Sequence, residues 1–155
     1  MARVTRGTEL WFIDPTDDTT LVKLACPTAI TGLDAPREQI ETTCLEDQAR
    51  SYEAGLATPG QASVTVQFDP AEDSHIALYD LWTSGAPPAK WAIGWSDGVA
   101  PPTVAAGDFV FPTTRTFSTF DATVNSVPFD FSLNAVVQST IPMQISGMPE
   151  LHPKA

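Results

Sequence analysis

Ala62, Val64, Val66 and Phe68 alternate without a break with Gln61, Ser63, Thr65 and Gln67. A period of two predicts a β-strand over Gln61 to Phe68 with one apolar face and one polar, uncharged face. Thr8 to Asp14 is a compact β-branched and aromatic run, and the turn formers Pro15 to Asp18 separate it from a second run, Thr19 to Ala25. That arrangement predicts a hairpin. Pro27, Gly32 and Pro36 read as punctuation, after which Ile40, Thr42 and Cys44 form one face of a short strand over Ile40 to Leu45. Trp91, Ile93 and Trp95 mark a strand over Lys90 to Ser96, closed by the turn Asp97-Gly98. Val99 to Gly107 reads as a Pro- and Ala-rich loop. Beyond it, Asp108 to Asp121 carries Phe109, Phe111, Phe117 and Phe120 broken by Pro112, and Phe129 to Gln138 alternates Phe129, Phe131, Leu133, Ala135 and Val137. Ile141, Met143 and Ile145 finish the pattern before Gly147.

One helix is expected, over about residues 70–84. Asp69 is a candidate N-cap, Pro70 suits the first helical position, and Glu72 stands three residues after the cap. Leu78, Leu81 and Trp82 share one core-facing stripe, and Gly85 suits a left-handed terminator. With about seven strands to one helix, the fold class is mainly β, a sandwich or barrel-like arrangement with a single flanking helix. Two stretches break the alternation. Residues 37–60 hold Gly55, Pro59 and Gly60 and little sustained period, so they read as a long loop in which Tyr52 and Leu56 are kept for docking. Residues 148–155 read as an extended arm, because Pro149 and Pro153 disfavour helix and ladder alike.

The length, 155 residues, suits one domain, 1–155, with one core. A hydrophobic fraction of 43% against 17% charged predicts an ordered, soluble chain. The net charge of −11, from 19 acidic and 8 basic residues, removes the positive footprint that phosphate binding needs and disfavours anionic membrane. The N-terminal run Met1 to Gly7 leads into Thr8-Glu9 with no apolar stretch, so no signal peptide and no membrane partner is expected. Cys26 and Cys44 read as small buried reduced thiols.

No nucleotide-binding loop, nucleophile elbow or His-Glu-x-x-His occurs, and no catalytic residue, metal or cofactor is expected. A zinc set of Cys26, Cys44, His75 and His152 has no recognisable ligand spacing. His75, with no evident carboxylate or nucleophile beside it, reads as surface. Asp69, Glu72 and Asp73 are explained by capping rather than calcium, and Asp17-Asp18 and Glu46-Asp47 by solvated turns. Trp11, Trp91 and Trp95 could stack on a sugar but are needed as core.

The segment Gly32 to Leu45 (GLDAPREQIETTCL), followed by Arg50 to Gly60 (RSYEAGLATPG) and the strand running into Phe68-Asp-Pro70, resembles the tail tube proteins of long, non-contractile-tailed bacteriophages. Trp82-Thr-Ser-Gly85, Trp91 to Gly98 and Gln144-Ile-Ser-Gly147 continue the resemblance in the same order, over nearly the whole chain. It implies a structural virion protein that closes into hexameric rings. The rings stack into a tube through which DNA passes without specific binding, in contact with tape measure, tail terminator and tail tip proteins. It also implies a place in the virion tail, with assembly in the bacterial cytoplasm. The loop between early strands would reach an adjacent ring, which points to Arg37, Glu38, Glu46, Asp47, Arg50, Tyr52 and Leu56. The polar rows Ser63, Thr65, Gln67 and Ser132, Asn134 are expected on a lumen or interface face, with nearby acids setting a negative potential over about 8 Å. Two other readings are an inner tube of a contractile tail or injection device, and a carbohydrate-binding sandwich using Trp91 and Trp95.

Overall fold

The computed structural model describes residues 2–155. Eleven strands and one helix follow in the order β1 (Glu9–Ile13), β2 (Leu21–Leu24), β3 (Pro27–Thr31), β4 (Arg37–Glu41), β5 (Tyr52–Ala57), β6 (Gln61–Gln67), α1 (Asp73–Thr83), β7 (Ala89–Gly94), β8 (Thr103–Ala105), β9 (Asp108–Val110), β10 (Phe117–Val124) and β11 (Gln138–His152). Seven of them form one antiparallel sheet in the order β2-β1-β7-β10-β11-β6-β3. Its two edges, β2 and β3, are consecutive in the chain and separated only by Ala25 and Cys26. The sheet must therefore curl until its edges meet at that corner, giving a half-barrel with one concave face.

The concave face is the core. Leu10 and Phe12 of β1, Trp91 of β7, Phe120 and Ala122 of β10, Ile141 and Met143 of β11, and Val64 and Val66 of β6 are all buried there. Helix α1 closes the opening with Leu78 and Leu81. Each large apolar side chain so buried contributes roughly 1.5–3 kcal/mol.

The corner is held by two side chains of α1. Ser74 Oγ accepts from the Ala25 N–H (3.2 Å), and His75 Nε2 meets the Ala25 carbonyl at 2.6 Å. The Asp69 N–H donates to His75 Nδ1 (2.9 Å), so the tautomer protonated at Nε2 satisfies both bonds. His75 is fully buried and stacked on Phe68, which corrects its reading as surface. Cys26 takes a left-handed φ of 51° at the corner. Both cysteines are exposed and free, against the expectation of burial.

A second apolar cluster covers half of the convex face. The β8–β9 hairpin turns through Ala106 (φ 53°) and Gly107 (φ 77°), the mirror-image turn that suits a two-residue hairpin. Phe109, Phe111, Phe117 and Trp11 stack from it down to the sheet, with centroids 5.4, 4.7 and 6.0 Å apart. Arg115 is buried among them, over Trp11 and Phe117. Its guanidinium donates to the carbonyls of Trp95, Gly7, Gly94 and Ala100 and to Glu9 Oε1, which gives every N–H an acceptor. One side chain so ties the N-terminal segment, the end of β7 and the 95–100 turn together. Gly94 leaves it room: a Cβ there would lie 2.5 Å from Trp11 and 2.7 Å from Arg115.

Several expectations change. The expected loop over 37–60 is a β4–β5 hairpin, and β4 spans Arg37–Glu41 rather than Ile40 to Leu45. Pro27–Thr31 is an edge strand, not punctuation, where the proline at its first position costs no ladder bond. Thr103–Ala105, read as loop, is β8. Helix α1 starts at Asp73, with Glu72 as its cap residue, because Asp69 Oδ1 is spent on the Ala71 N–H. Trp82 is 38% exposed, not core. Phe129 to Gln138 forms only the bridge Asp130–Gln138, since Asn134 at φ 60° and the bond from Ala135 N–H to Ser132 carbonyl make it a turn. The supposed C-terminal arm is ladder as far as His152. Pro149 is tolerated because the register steps from Thr119–Glu150 to Asp121–Ser146, leaving Gly147 to Pro149 in a bulge where no N–H is needed.

Arg115→Ala is expected to lower stability by about 3 kcal/mol or more, because four carbonyls and two rings lose their partner in a dry site. Gly94→Ala should cost about 1–3 kcal/mol through overpacking. Urea unfolding midpoints check both, and a loss below about 1 kcal/mol for Arg115→Ala would refute the role given to it.

Candidate assembly surfaces

The other half of the convex face is bare. The cross-strand pairs Gln67–Gln138, Thr65–Thr140, Ser63–Pro142 and Gln61–Gln144 join β6 to β11, and Ala29–Thr65 and Thr31–Ser63 join β3 to β6. These ten side chains point away from the core because their neighbours Ala62, Val64, Val66, Ile141, Met143 and Ile145 point into it. None is charged, and Thr65 and Thr140 approach Oγ1 to Oγ1 at 3.3 Å. Ser63, Thr65 and Gln67 thus share one continuous surface. Ser132 and Asn134 do not join it: both are exposed in the turn after Phe129. The sequence pattern missed Thr140, Pro142 and Gln144, whose link to β6 is a register across 75 or more residues of chain.

Acids border this face at β10. Asp121, paired with Ser146, lines a cavity with Lys90, Asp108, Glu150 and His152. Burial pushes the Asp121 carboxyl above its ordinary range, the charges of Asp108 and Glu150 add to that, and Lys90, 3.5 Å from Asp108, opposes it. Two further acids are tied down. Asp97 is held below its ordinary range by the Thr116 hydroxyl and N–H, and Asp17 by the Thr20 hydroxyl with the Thr19 and Thr20 N–H groups.

The β4–β5 hairpin is the second surface. Its two strands pair only with each other. Arg37, Glu38, Tyr52 and Leu56 on the strands, and Glu46, Asp47 and Arg50 in the connecting tip, are all exposed. Leu56 is 87% exposed, Leu45 wholly so, and Ile40 and Tyr52 about half. Asp47 Oδ2 accepts from the Cys44 N–H at 2.7 Å and shapes the tip. A lone two-stranded hairpin with four such side chains in water is marginal without a partner.

The sugar-stacking alternative lacks its platform. Trp91 is 1% exposed, 4.8 Å from the Phe12 ring and 6.1 Å from Phe120, and Trp11 is 3% exposed; of these three expected core tryptophans, Trp95 alone reaches the surface. Cys26, Cys44, His75 and His152 are not brought together, and no cluster of three or more metal-ligating side chains occurs among the described residues.

The model of a lambda-like phage tail tube family matches residues 1–155. The chain belongs to that family. A relative, structural protein 3 of Pseudomonas phage PAJU2, is 44% identical and is matched over 97% of this chain and 93% of its own length. The fold recurs in the tail tube of SPP1, with a TM-score of 0.69 at 11% identity over 98% of this chain and 81% of that one. It recurs also in the tail of a gene transfer agent particle refined with C6 symmetry (TM-score 0.67, 16% identity, 97% and 99% covered). An extracellular contractile injection system, in its sheath-tube complex, gives a TM-score of 0.69 at 12% identity, with 99% and 92% covered. The contractile injection system and the SPP1 tail tube are equally close in fold, so it is the match to the lambda-like phage tail tube family that places this chain. This tail tube protein is a structural component of a phage tail.

Asp121 yields a pH prediction. A carboxyl raised in the folded state adds stability only while protonated, and that contribution is lost as pH rises through its folded value. Asp121→Asn should therefore raise the unfolding free energy, read from urea titrations at about pH 7, by less than about 1 kcal/mol because solvent screens the site. The gain should vanish near about pH 3.5, where the parent carboxyl is protonated as well. An equal gain at both pH values would contradict the assignment.

Proposed function

We propose that six copies close into a ring, that rings stack into a hollow tube, and that the bare face of β3, β6 and β11 lines the lumen. The observation that carries this reading is the asymmetry of the convex face. One half is sealed by β8–β9 and Arg115, while the other presents ten polar or small side chains without a single charge. A wall of Gln, Ser and Thr gives DNA no Lys or Arg to grip. The surrounding acids repel phosphate over about 8 Å at physiological salt. A duplex therefore slides through such a tube instead of binding to it. The open edges β2 and β3 are the other support, since side-by-side pairing in a closed ring removes edges that otherwise invite uncontrolled association.

Within this reading the hairpin, with Arg37, Glu38, Glu46, Asp47, Arg50, Tyr52 and Leu56, makes the contact between neighbouring rings. Tape measure, terminator and tip proteins meet the tube at its lumen and its ends, and assembly takes place in the bacterial cytoplasm. The chain performs no catalytic step and uses no cofactor or metal in this role.

Negative-stain microscopy of the concentrated protein should show tubes. Replacing residues 38–56 by a short Gly-Ser turn should abolish them while changing the unfolding free energy by less than about 1 kcal/mol, because the hairpin ladder stops at its own two strands. Small particles from the parent chain, or unaltered tubes from the shortened one, would refute the reading.

A further inference from the structure

Eight bases serve this strongly acidic chain, and six are engaged. Lys23 and Arg115 meet Glu9, Arg50 lies by Glu41, Lys90 by Asp108, Arg37 reaches the Gly55 carbonyl and Lys154 the Asp97 carbonyl. Among the described residues, the remaining two, Arg3 and Arg6, have neither an ion pair nor a side-chain hydrogen bond; both are exposed, on an N-terminal segment without an acid before Glu9. The hairpin is the reverse case. Among the described residues Glu38, Glu46 and Glu53 have no basic partner, and 37–57 holds five acids against two arginines.

Arg3 stands at the rim of a groove of about 560 Å³ enclosed by β3, the N-terminal segment and the end of β7. Ile30, Leu33 and Ile93 form its apolar floor, with Trp95 at one end. Asp97, the acid that feels Arg3, is already bonded to the Thr116 hydroxyl and N–H. No residue of the chain's own hairpin lines this groove. The tip of the hairpin is its complement, with a fully exposed Leu45 beside Glu46 and with Glu53 on the adjoining strand.

We propose that the hairpin tip of one copy docks in the β3 groove of a second copy, with Leu45 on the Ile30, Leu33 and Ile93 floor and Glu46 and Glu53 facing Arg3 and Arg6. The contact joins two different surfaces, so a joined pair still offers one free tip and one free groove, and the association propagates instead of stopping at a dimer. This assignment rests on the tube-building reading above and names its receiving surface. Complementary charge across the contact fixes which surfaces meet and speeds their encounter, while the leucine fills the apolar floor.

Three full-length variants test it: Arg3→Glu with Arg6→Glu; Glu46→Lys with Glu53→Lys; and all four changes together. Asp47 is left intact because it shapes the tip. With far-ultraviolet dichroism and urea midpoints confirming folding, each pair alone should raise the critical concentration for tubes, measured by light scattering and microscopy, by about tenfold or more. The fourfold variant should return to within about threefold of the parent, because both signs are reversed. Normal polymerisation of either pair variant, or a folded fourfold variant that stays blocked, would overturn the docking proposal alone. A parent chain that never polymerises would overturn the tube reading and this contact with it.

Discussion

The structure depends on the corner where β2 turns into β3. The two edges of a seven-stranded sheet can be joined through Ala25 and Cys26 only if the sheet curls, and the buried Ser74 and His75 of α1 hold Ala25 by both its N–H and its carbonyl. A buried backbone amide left without partners costs about 1–3 kcal/mol per group, so helix and corner stabilise each other. Once the sheet is curled, one face of every strand becomes core and the other faces outward. The apolar alternation of β6 and β11 then needs no second sheet to cover it.

The outward face would be ordinary if it were treated evenly along its length. Arg115 prevents that. By satisfying four carbonyls and Glu9 while packed on Trp11 and Phe117, it fastens the β8–β9 region and the N-terminal segment over β1, β7 and β10. Among the described residues, nothing comparable lies over β3, β6 and the Gln138–Gln144 half of β11, whose outward side chains are polar or small and uncharged. Glu9 is shared in this arrangement: partial burial works against its ionisation, and the bonds and charges of Lys23 and Arg115 outweigh it, holding the carboxyl below its ordinary range. A monomer with half of its outward face sealed, half bare and a hairpin inserted between β3 and β6 is built to meet its own kind.

The sequence made much of this legible where local rules act alone. Strict alternation places β6 and its polar row, and Gly85 ends α1 with a φ of 63°. The tail tube motifs from Gly32 to Phe68 point to the family. What stayed hidden depends on partners distant in the chain. His75 looks like surface until Ala25, fifty residues earlier, supplies its acceptor. Pro149 looks like a ladder breaker until the bulge opposite Phe120 removes the need for its N–H. Phe129 to Val137 has the alternation of a strand but no neighbouring edge, so it folds as a turn, and Ser132 and Asn134 leave the polar row. The hairpin at 37–57 failed the opposite way. With no core to face, Arg37–Glu41 and Tyr52–Ala57 carry no apolar period, although their pairing makes them strands.

The central claim is that the bare face of β3, β6 and β11 is the inner wall of a tube. A helical reconstruction of assembled tubes by electron cryomicroscopy tests this most directly. It should show Ser63, Thr65, Gln67, Thr140 and Gln144 lining the lumen, with the β8–β9 hairpin on the outside. A wall built from the β8–β9 side, with the polar row facing bulk solvent, would contradict it.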